Sequence, residues 1–355
     1  MNLKKLTYVA IMSVFFFSCS NKNREIEQSA IDGTLQVKAT SILENKLSEI
    51  NAQSGQVIIM DVQTGQIKAL VGLEKKDSTS YQSCENFSIS EESGLMHPIS
   101  LLAALESGKV NLSDKVDVGD GTYKVNDREL KDHNWEKGGY GEITVEQGLA
   151  SSSNIAIYMT MEKAFGDDAQ AYFNLIDKMS YGKPDSIAGI ANLKPAYFVT
   201  PKDNGWSNTA FAWFSIGYNQ NIAPIQTLTF YNAIANNGKM VQPQLYNDST
   251  IVIKKQIASQ TNIDSLRRAL QYVVTDGLAK SAYSDKVKVA GMNGTAQFED
   301  GSYLVEFCGY FPADAPKYSI IVSIHKKALP ASGGLMAGGV FKQIVELITD
   351  RNENN

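Results

Sequence analysis

Three stretches of this chain carry side chains whose types and spacing could do chemistry. The first is Glu92-Ser93-Gly94-Leu95-Met96-His97-Pro98. Ser93 and His97 are four residues apart, and on a helix such a pair can touch, giving a hydroxyl nucleophile with an imidazole base. Gly94 between them and Pro98 after them favour a helix that only begins there, which makes His97 a surface or capping residue instead. The second is Ser152-Ser153-Asn154. Its hydroxyls and amide suit the open ends of two helices, where they can satisfy free backbone groups. The third is Val289–Gln297, V-A-G-M-N-G-T-A-Q, where Asn293 can donate a hydrogen bond and Gly294-Thr295 follow. Two Ser-x-x-Lys strings, Ser180–Lys183 and Ser323–Lys326, are weaker. One lies at a helix end, and the other on a strand, where positions three apart face opposite sides. His97, His133 and His325 are scattered, with no metal-ligand spacing to cysteine or carboxylate. Neither a metal nor another cofactor is expected.

These stretches need elements to hold them. Apolar positions Val37, Ile42, Leu43, Leu47 and Ile50 predict a helix over residues 36–50. Gln56–Met60 and Ile67–Gly72 flank Asp61-Val62-Gln63-Thr64-Gly65 and read as a hairpin. Pro98 opens a helix that stops at Gly108. Residues 110–142 read as a loop-heavy excursion, with Tyr123, Trp135 and Tyr140 as a candidate contact surface or as ordinary loop packing. Thr144-Val145-Glu146-Gln147 is a capping box for a short helix to Ala150, and a second helix runs from about Ile155 to Phe165. Further helices are predicted over Pro224–Asn236, Asp264–Thr275 and Val340–Ile348, and strands over Val287–Ala290, Ser302–Phe311 and Tyr318–Ile324. The run Gly333–Gly339 reads as a flexible turn without chemistry. Two groups of strands around a helical middle predict an α+β fold: one sheet built from both ends of the chain, with the middle as its own lobe.

The N-terminus reads as a leader. Lys4 and Lys5 precede an apolar run from Leu6 to Phe17, shorter than the roughly 20 residues a membrane span needs. Ser18-Cys19 closes it in the manner of a bacterial lipoprotein signal. The expected organisation is a signal peptide over 1–18, a tether over 19–35 lipidated at Cys19, and a folded domain over 36–349. Acidic side chains outnumber basic ones by 38 to 33, and two of the lysines lie in the leader, so nucleic acid is an unsuitable partner. Cys84 and Cys308 could pair in an exported protein, but their spacing does not demand it.

With these residues in order, the chain resembles the transpeptidase domain of class B penicillin-binding proteins, over about Gln36 to Ile348. The hairpin S-G-Q-V-I-I-M-D-V-Q-T-G-Q-I-K-A-L-V is similar to that family's first two strands. Ile216–Pro243 and Phe307–Val322 are long, specific matches, and V-A-G-M-N-G-T-A-Q is similar to the family's V-A-G-K-T-G-T-A-Q. The resemblance implies a β-lactamase/transpeptidase-like fold. With so short a stretch between Cys19 and the first helix, the pedestal domain such proteins carry is expected to be absent.

The same resemblance implies where catalysis should sit, and here the chain departs from it. The family's S-x-x-K, inside G-S-x-x-K-P, has four residues between Gly and Pro; this chain has three. Anchored on Gly94, the serine position is Leu95 and the lysine position Pro98. Anchored on Pro98, the lysine position is His97 and the serine position Gly94. The S-x-N motif survives as Ser152 and Asn154; in the family its asparagine binds the substrate amide and the catalytic lysine. The K-T-G lysine and threonine, which bind a substrate carboxylate, are Met292 and Asn293. Gly294 and Thr295 remain, and the family's oxyanion hole would use the Thr295 N–H. The expected function is a periplasm-facing, membrane-anchored pseudoenzyme. Its ligands would be peptidoglycan stem peptides or proteins of the cell-wall or division machinery, bound through Ser152, Asn154, Asn293, Gly294 and Thr295. The alternatives are an active D,D-transpeptidase, carboxypeptidase or β-lactamase with a relocated nucleophile such as Ser93, and a scaffold whose pocket is unused.

Overall fold

Strands from opposite ends of the chain meet in one six-stranded antiparallel sheet. Its spatial order is Ala290–Gln297, Tyr303–Phe311, Tyr318–Lys326, Ser54–Asp61, Ile67–Lys75 and Tyr81–Ser83. The computed structural model describes residues 29–353 other than Asn86, Asp167, Asn247 and Asp248, so the leader and Cys19 lie outside the described residues. The Ser54–Asp61 strand joins the two groups, pairing Val57 with Val71 on one side and with Val322 on the other. Its buried run Val57-Ile58-Ile59-Met60 suits a strand covered on both faces. The hairpin turn is held by Asp61, whose Oδ1 accepts from the Thr64 N–H (2.8 Å) and hydroxyl (2.8 Å). Gly65 has φ +78°, and a Cβ there would meet the Gln242 carbonyl, so the turn needs glycine.

Helices cover both faces. Gly33–Glu49 starts at Asp32, whose side chain accepts from Leu35 N–H, and buries Leu35, Ala39, Leu43 and Leu47. It packs beside the last helix, Ala337–Glu353, and Arg351 pairs with Asp32 across them at 2.5 Å. Along Tyr303–Phe311, Phe307 meets Phe341 of that last helix, with ring centroids 4.6 Å apart. The next side chains along the strand turn to the opposite face, where the Pro224–Ala235 helix lies. The lobe consists of His97–Glu106, Val145–Ala150, Asn154–Phe165, Ala169–Lys178, Ala210–Ser215 and Gln260–Thr275. One continuous apolar cluster runs from the sheet through this lobe.

Several expectations shift. The helix expected over 36–50 begins at Gly33 because Asp32 caps it, and the last helix begins at Ala337. The strand expected over Val287–Ala290 instead runs Ala290–Gln297. Residues 110–142 are more regular than a loop: Lys115–Asp117 pairs with Glu142–Thr144, and Thr122–Val125 with Arg128–Lys131. Strands this short carry too few alternating positions to stand out among glycines and aspartates. Their aromatics mostly pack locally: Tyr123 on Tyr158 and Tyr140 on His133, with Trp135 40% exposed under the Lys131 ammonium. The helices Ala169–Lys178 and Ala210–Ser215 had no sequence prediction. Cys84 and Cys308 are both free thiols.

Candidate active-site cleft

The three chemistry-bearing stretches converge on a cleft of about 570 Å³ between the Ala290–Gln297 strand and the lobe. His97, Ser152, Asn154, Asn293 and Thr295 all border it. The strand is the end strand of the sheet, so its outer edge has no strand partner among the described residues.

The first stretch is built as a tight entrance. Ser93 caps the 3₁₀ turn Gly94–Met96, accepting from Leu95 N–H at 3.3 Å, and the helix follows from His97 with proline in its first turn. The backbone at Gly94 lies directly on the strand: a Cβ there would be 2.5 Å from Thr295 N, and one on Gly294 would be 2.7 Å from the Gly94 carbonyl carbon. Leu95 is fully buried, and its carbonyl accepts from the Tyr231 hydroxyl at 2.9 Å. Whichever register is chosen, the serine position is therefore a glycine against the strand or a leucine in the core.

The candidate Ser93–His97 pair does not form. The Ser93 hydroxyl donates to Glu306 Oε2 at 2.6 Å, whereas His97 Nε2–H donates to Asn154 Oδ1 at 3.2 Å. A hydroxyl and an imidazole held on different partners cannot act as nucleophile and base. The His97–Asn154 contact favours the register anchored on Pro98, because His97 meets the asparagine that the family's lysine would meet. Burial pulls His97 down to about 4, against a weaker upward pull from Asn154, so it is neutral at pH 7. It cannot supply the lysine's charge.

The second stretch is held from below. Ser153 caps the Asn154–Phe165 helix, accepting from Ala156 N–H at 2.9 Å and donating to Asp132 Oδ2 at 2.6 Å. Asp132 Oδ1 also accepts from Ile155 N–H, and burial raises its pKa despite those bonds. This leaves Ser152 at φ +50° on the cleft and Asn154 bonded to His97 and, through Nδ2, to the Lys131 carbonyl at 3.0 Å.

In the third stretch Met292 is wholly buried, while Asn293 and Thr295 face the cleft on either side of Gly294. Asn293 is 9% exposed, and its Oδ1 has no hydrogen-bond partner among the described residues. Gly294 is taken up by Gly94 rather than by the open cleft. Gly333 N–H donates to Thr295 Oγ1 at 3.1 Å, and Ala331, Ser332 and Leu335 border the cleft. The segment read as a turn without chemistry is thus one of its walls.

The other candidates stand apart. Ser180 has φ +62° beyond the end of a helix. Ser323 donates to Glu306 Oε1 at 3.0 Å, and Lys326 reaches the Ile50 carbonyl at 3.4 Å. Among the described residues no cluster suits a metal ion. Sequence reasoning missed Glu306, a carboxylate inside the apolar run Tyr303–Phe311. Two serines donate to it, and burial still pushes it up to about 7. A lone acid in a strand buried on both faces was the available signal.

The family described as penicillin binding protein transpeptidase domain matches residues 55–346. Stage V sporulation protein D of Bacillus subtilis is 26% identical over 88% of this chain and 52% of its own length. The peptidoglycan D,D-transpeptidase FtsI of Escherichia coli is 23% identical over 89% of this chain and 54% of its own. The chain therefore spans about half the length of these curated relatives. The transpeptidase domain of Burkholderia pseudomallei penicillin-binding protein 3 shares the fold, with a TM-score of 0.78 at 22% identity over 92% of this chain and 96% of that one. The chain belongs to the family of penicillin-binding protein transpeptidase domains.

Proposed function

We propose that this chain is a cell-wall protein whose transpeptidase cleft binds peptidoglycan stem peptide without acylating itself. The observation that carries this reading is the entrance of the His97–Glu106 helix. The serine position is occupied by Gly94 or Leu95, and the nearest hydroxyl in sequence, that of Ser93, is bonded to Glu306 and buried. An acyl-enzyme needs a nucleophile and a base within reach of each other. Losing one member of such a unit in another hydrolase lowers turnover by up to roughly 10⁶-fold, and here the serine, its lysine and the carboxylate-binding lysine are all replaced. Ser152, Asn154 and Thr295 survive, Asn293 replaces a threonine, and all four keep groups that can bind a peptide; the outer strand edge, without a strand partner among the described residues, can pair with an extended one. In this reading Cys19 carries a lipid, and the domain works at a membrane face in the periplasm. Among the described residues no helix is long and apolar enough to cross a membrane.

Several relatives are D,D-transpeptidases by name, which keeps an active enzyme as the competing reading. Intact-protein mass spectrometry of the full-length chain in detergent, after exposure to excess benzylpenicillin and a cephalosporin, separates the two. An unchanged mass with no drug hydrolysis is expected. A stoichiometric adduct, on Ser152 or any other serine, would make this an active penicillin-binding enzyme.

A further inference from the structure

The cleft mixes polar and apolar walls, and no charged side chain among the described residues borders it: none is Lys, Arg, Asp or Glu. Its two histidines, His97 and His133, are held below the ordinary histidine range by burial and are neutral at pH 7. Met292, at the position of the carboxylate-binding lysine, is buried in the core. A carboxylate entering this cleft would give up water without meeting a cation, which is costly.

Two side chains that border the cleft each carry a buried atom that points to a different ligand. His97 Nε2–H is committed to Asn154, so the lone pair left on Nδ1 is an acceptor, and it has no partner among the described residues. Asn293 Oδ1, with the amide placed as it is here, is a second buried acceptor without a partner. Buried acceptors require donors. An amide brings N–H groups and no charge, and a carboxylate brings neither advantage.

We propose that the cleft selects stem peptides whose terminal carboxyl is already tied up in an amide, over the same peptides ending in a free carboxylate. This rests on the reading of the cleft as a peptidoglycan-peptide site and specifies its ligand class. The site would then recognise blocked or joined peptides, the state a transpeptidation reaction leaves behind, rather than the acids such a reaction starts from.

Calorimetric titration of the full-length chain in detergent tests this with three probes: a stem peptide ending in D-alanyl-D-alanine as the free acid, the same peptide as its carboxamide, and a cross-linked peptide dimer whose acceptor stem also ends in a carboxamide. At least one blocked form should bind about tenfold more tightly than the acid, and the tighter of the two identifies the source of the amide. Equal binding, or tighter binding of the acid, overturns the selectivity while leaving the cleft a peptide site. No binding by any probe overturns both. Asn293→Lys, which puts an ammonium on the cleft wall, should shift the preference back toward the acid. If that variant fails to fold, the comparison on the unaltered chain still decides.

Discussion

Glu306 and His97 lie behind and beside the cleft entrance, and burial moves both in the direction that keeps them neutral. A glutamate that titrates at 4.5 in the unfolded chain titrates at about 7 in the fold. Between those values the folded state holds more protons, so stability falls as pH rises, by roughly 3 kcal/mol in all. His97 moves from 6.5 to about 4, so the unfolded chain protonates first and stability falls as pH drops through that window, by roughly the same amount. The two slopes oppose each other from about pH 4.5 to 6.5. His325 adds to the Glu306 sense. Burial pulls it down, but the ion pair with Glu91 at 2.9 Å leaves it raised, and its contribution is lost as pH rises. Urea unfolding at pH 5 and pH 7 should resolve the two groups. Glu306→Gln should become relatively more stable at pH 7, and His97→Gln relatively more stable at pH 5. Variants that both keep the wild-type difference would show that neither group titrates as described.

At the scale of elements, motif spacing matters more than motif identity. Three residues between Gly94 and Pro98 place Leu95 and His97 two apart, and residues two apart on a helix do not face each other. Restoring the family's side chains as Leu95→Ser with His97→Lys should therefore leave the protein unreactive to benzylpenicillin by mass. An adduct on that double variant would mean the entrance can rewind into a working register. The Ser152-Ser153-Asn154 turn depends on the Ser153 cap and its bond to Asp132. Ser153→Ala removes a helix cap and one donor from a buried carboxylate, a loss of about 1–3 kcal/mol in thermal unfolding. A change below about 0.3 kcal/mol would mean that water replaces both bonds. Legibility divides along the same line. The hairpin was readable because Asp61 and Gly65 mark its turn chemically, and the Thr144–Gln147 box because both of its partners are local. The ladders within 110–142 depend on residues brought together from a distance. So does Glu306, whose partners lie 213 and 17 residues away. Residue spacing leaves neither register of the first stretch with a Ser–Lys pair. Only coordinates showed that Ser93 is taken up by Glu306 and that His97 keeps the contact with Asn154.

At the scale of the molecule, the central strand pairs with a partner some 260 residues further along the chain, as in Val57 with Val322. Contacts of such separation close late and bind the chain's ends into one folding unit. The sequence suggested that the helical middle forms a lobe of its own. The structure gives that lobe an apolar interior continuous with the sheet's. All three tryptophans, Trp135, Trp206 and Trp213, lie in the middle of the chain and none in the sheet, so their fluorescence reports the lobe and the segments attached to it rather than the sheet. Ile58, fully buried on the central strand and opposite Ile321, is remote from all three in sequence. Ile58→Ala should destabilise the protein by about 2–5 kcal/mol, from lost burial and the cavity left behind. If the core is single, tryptophan fluorescence and far-ultraviolet circular dichroism will shift together in denaturant, as a two-state transition requires. A shift in the dichroism with an unmoved fluorescence transition would mean that the lobe holds together without the sheet. The entrance where Gly94 rests on Thr295 would then be a seam between two units rather than part of one, and the cleft could open there.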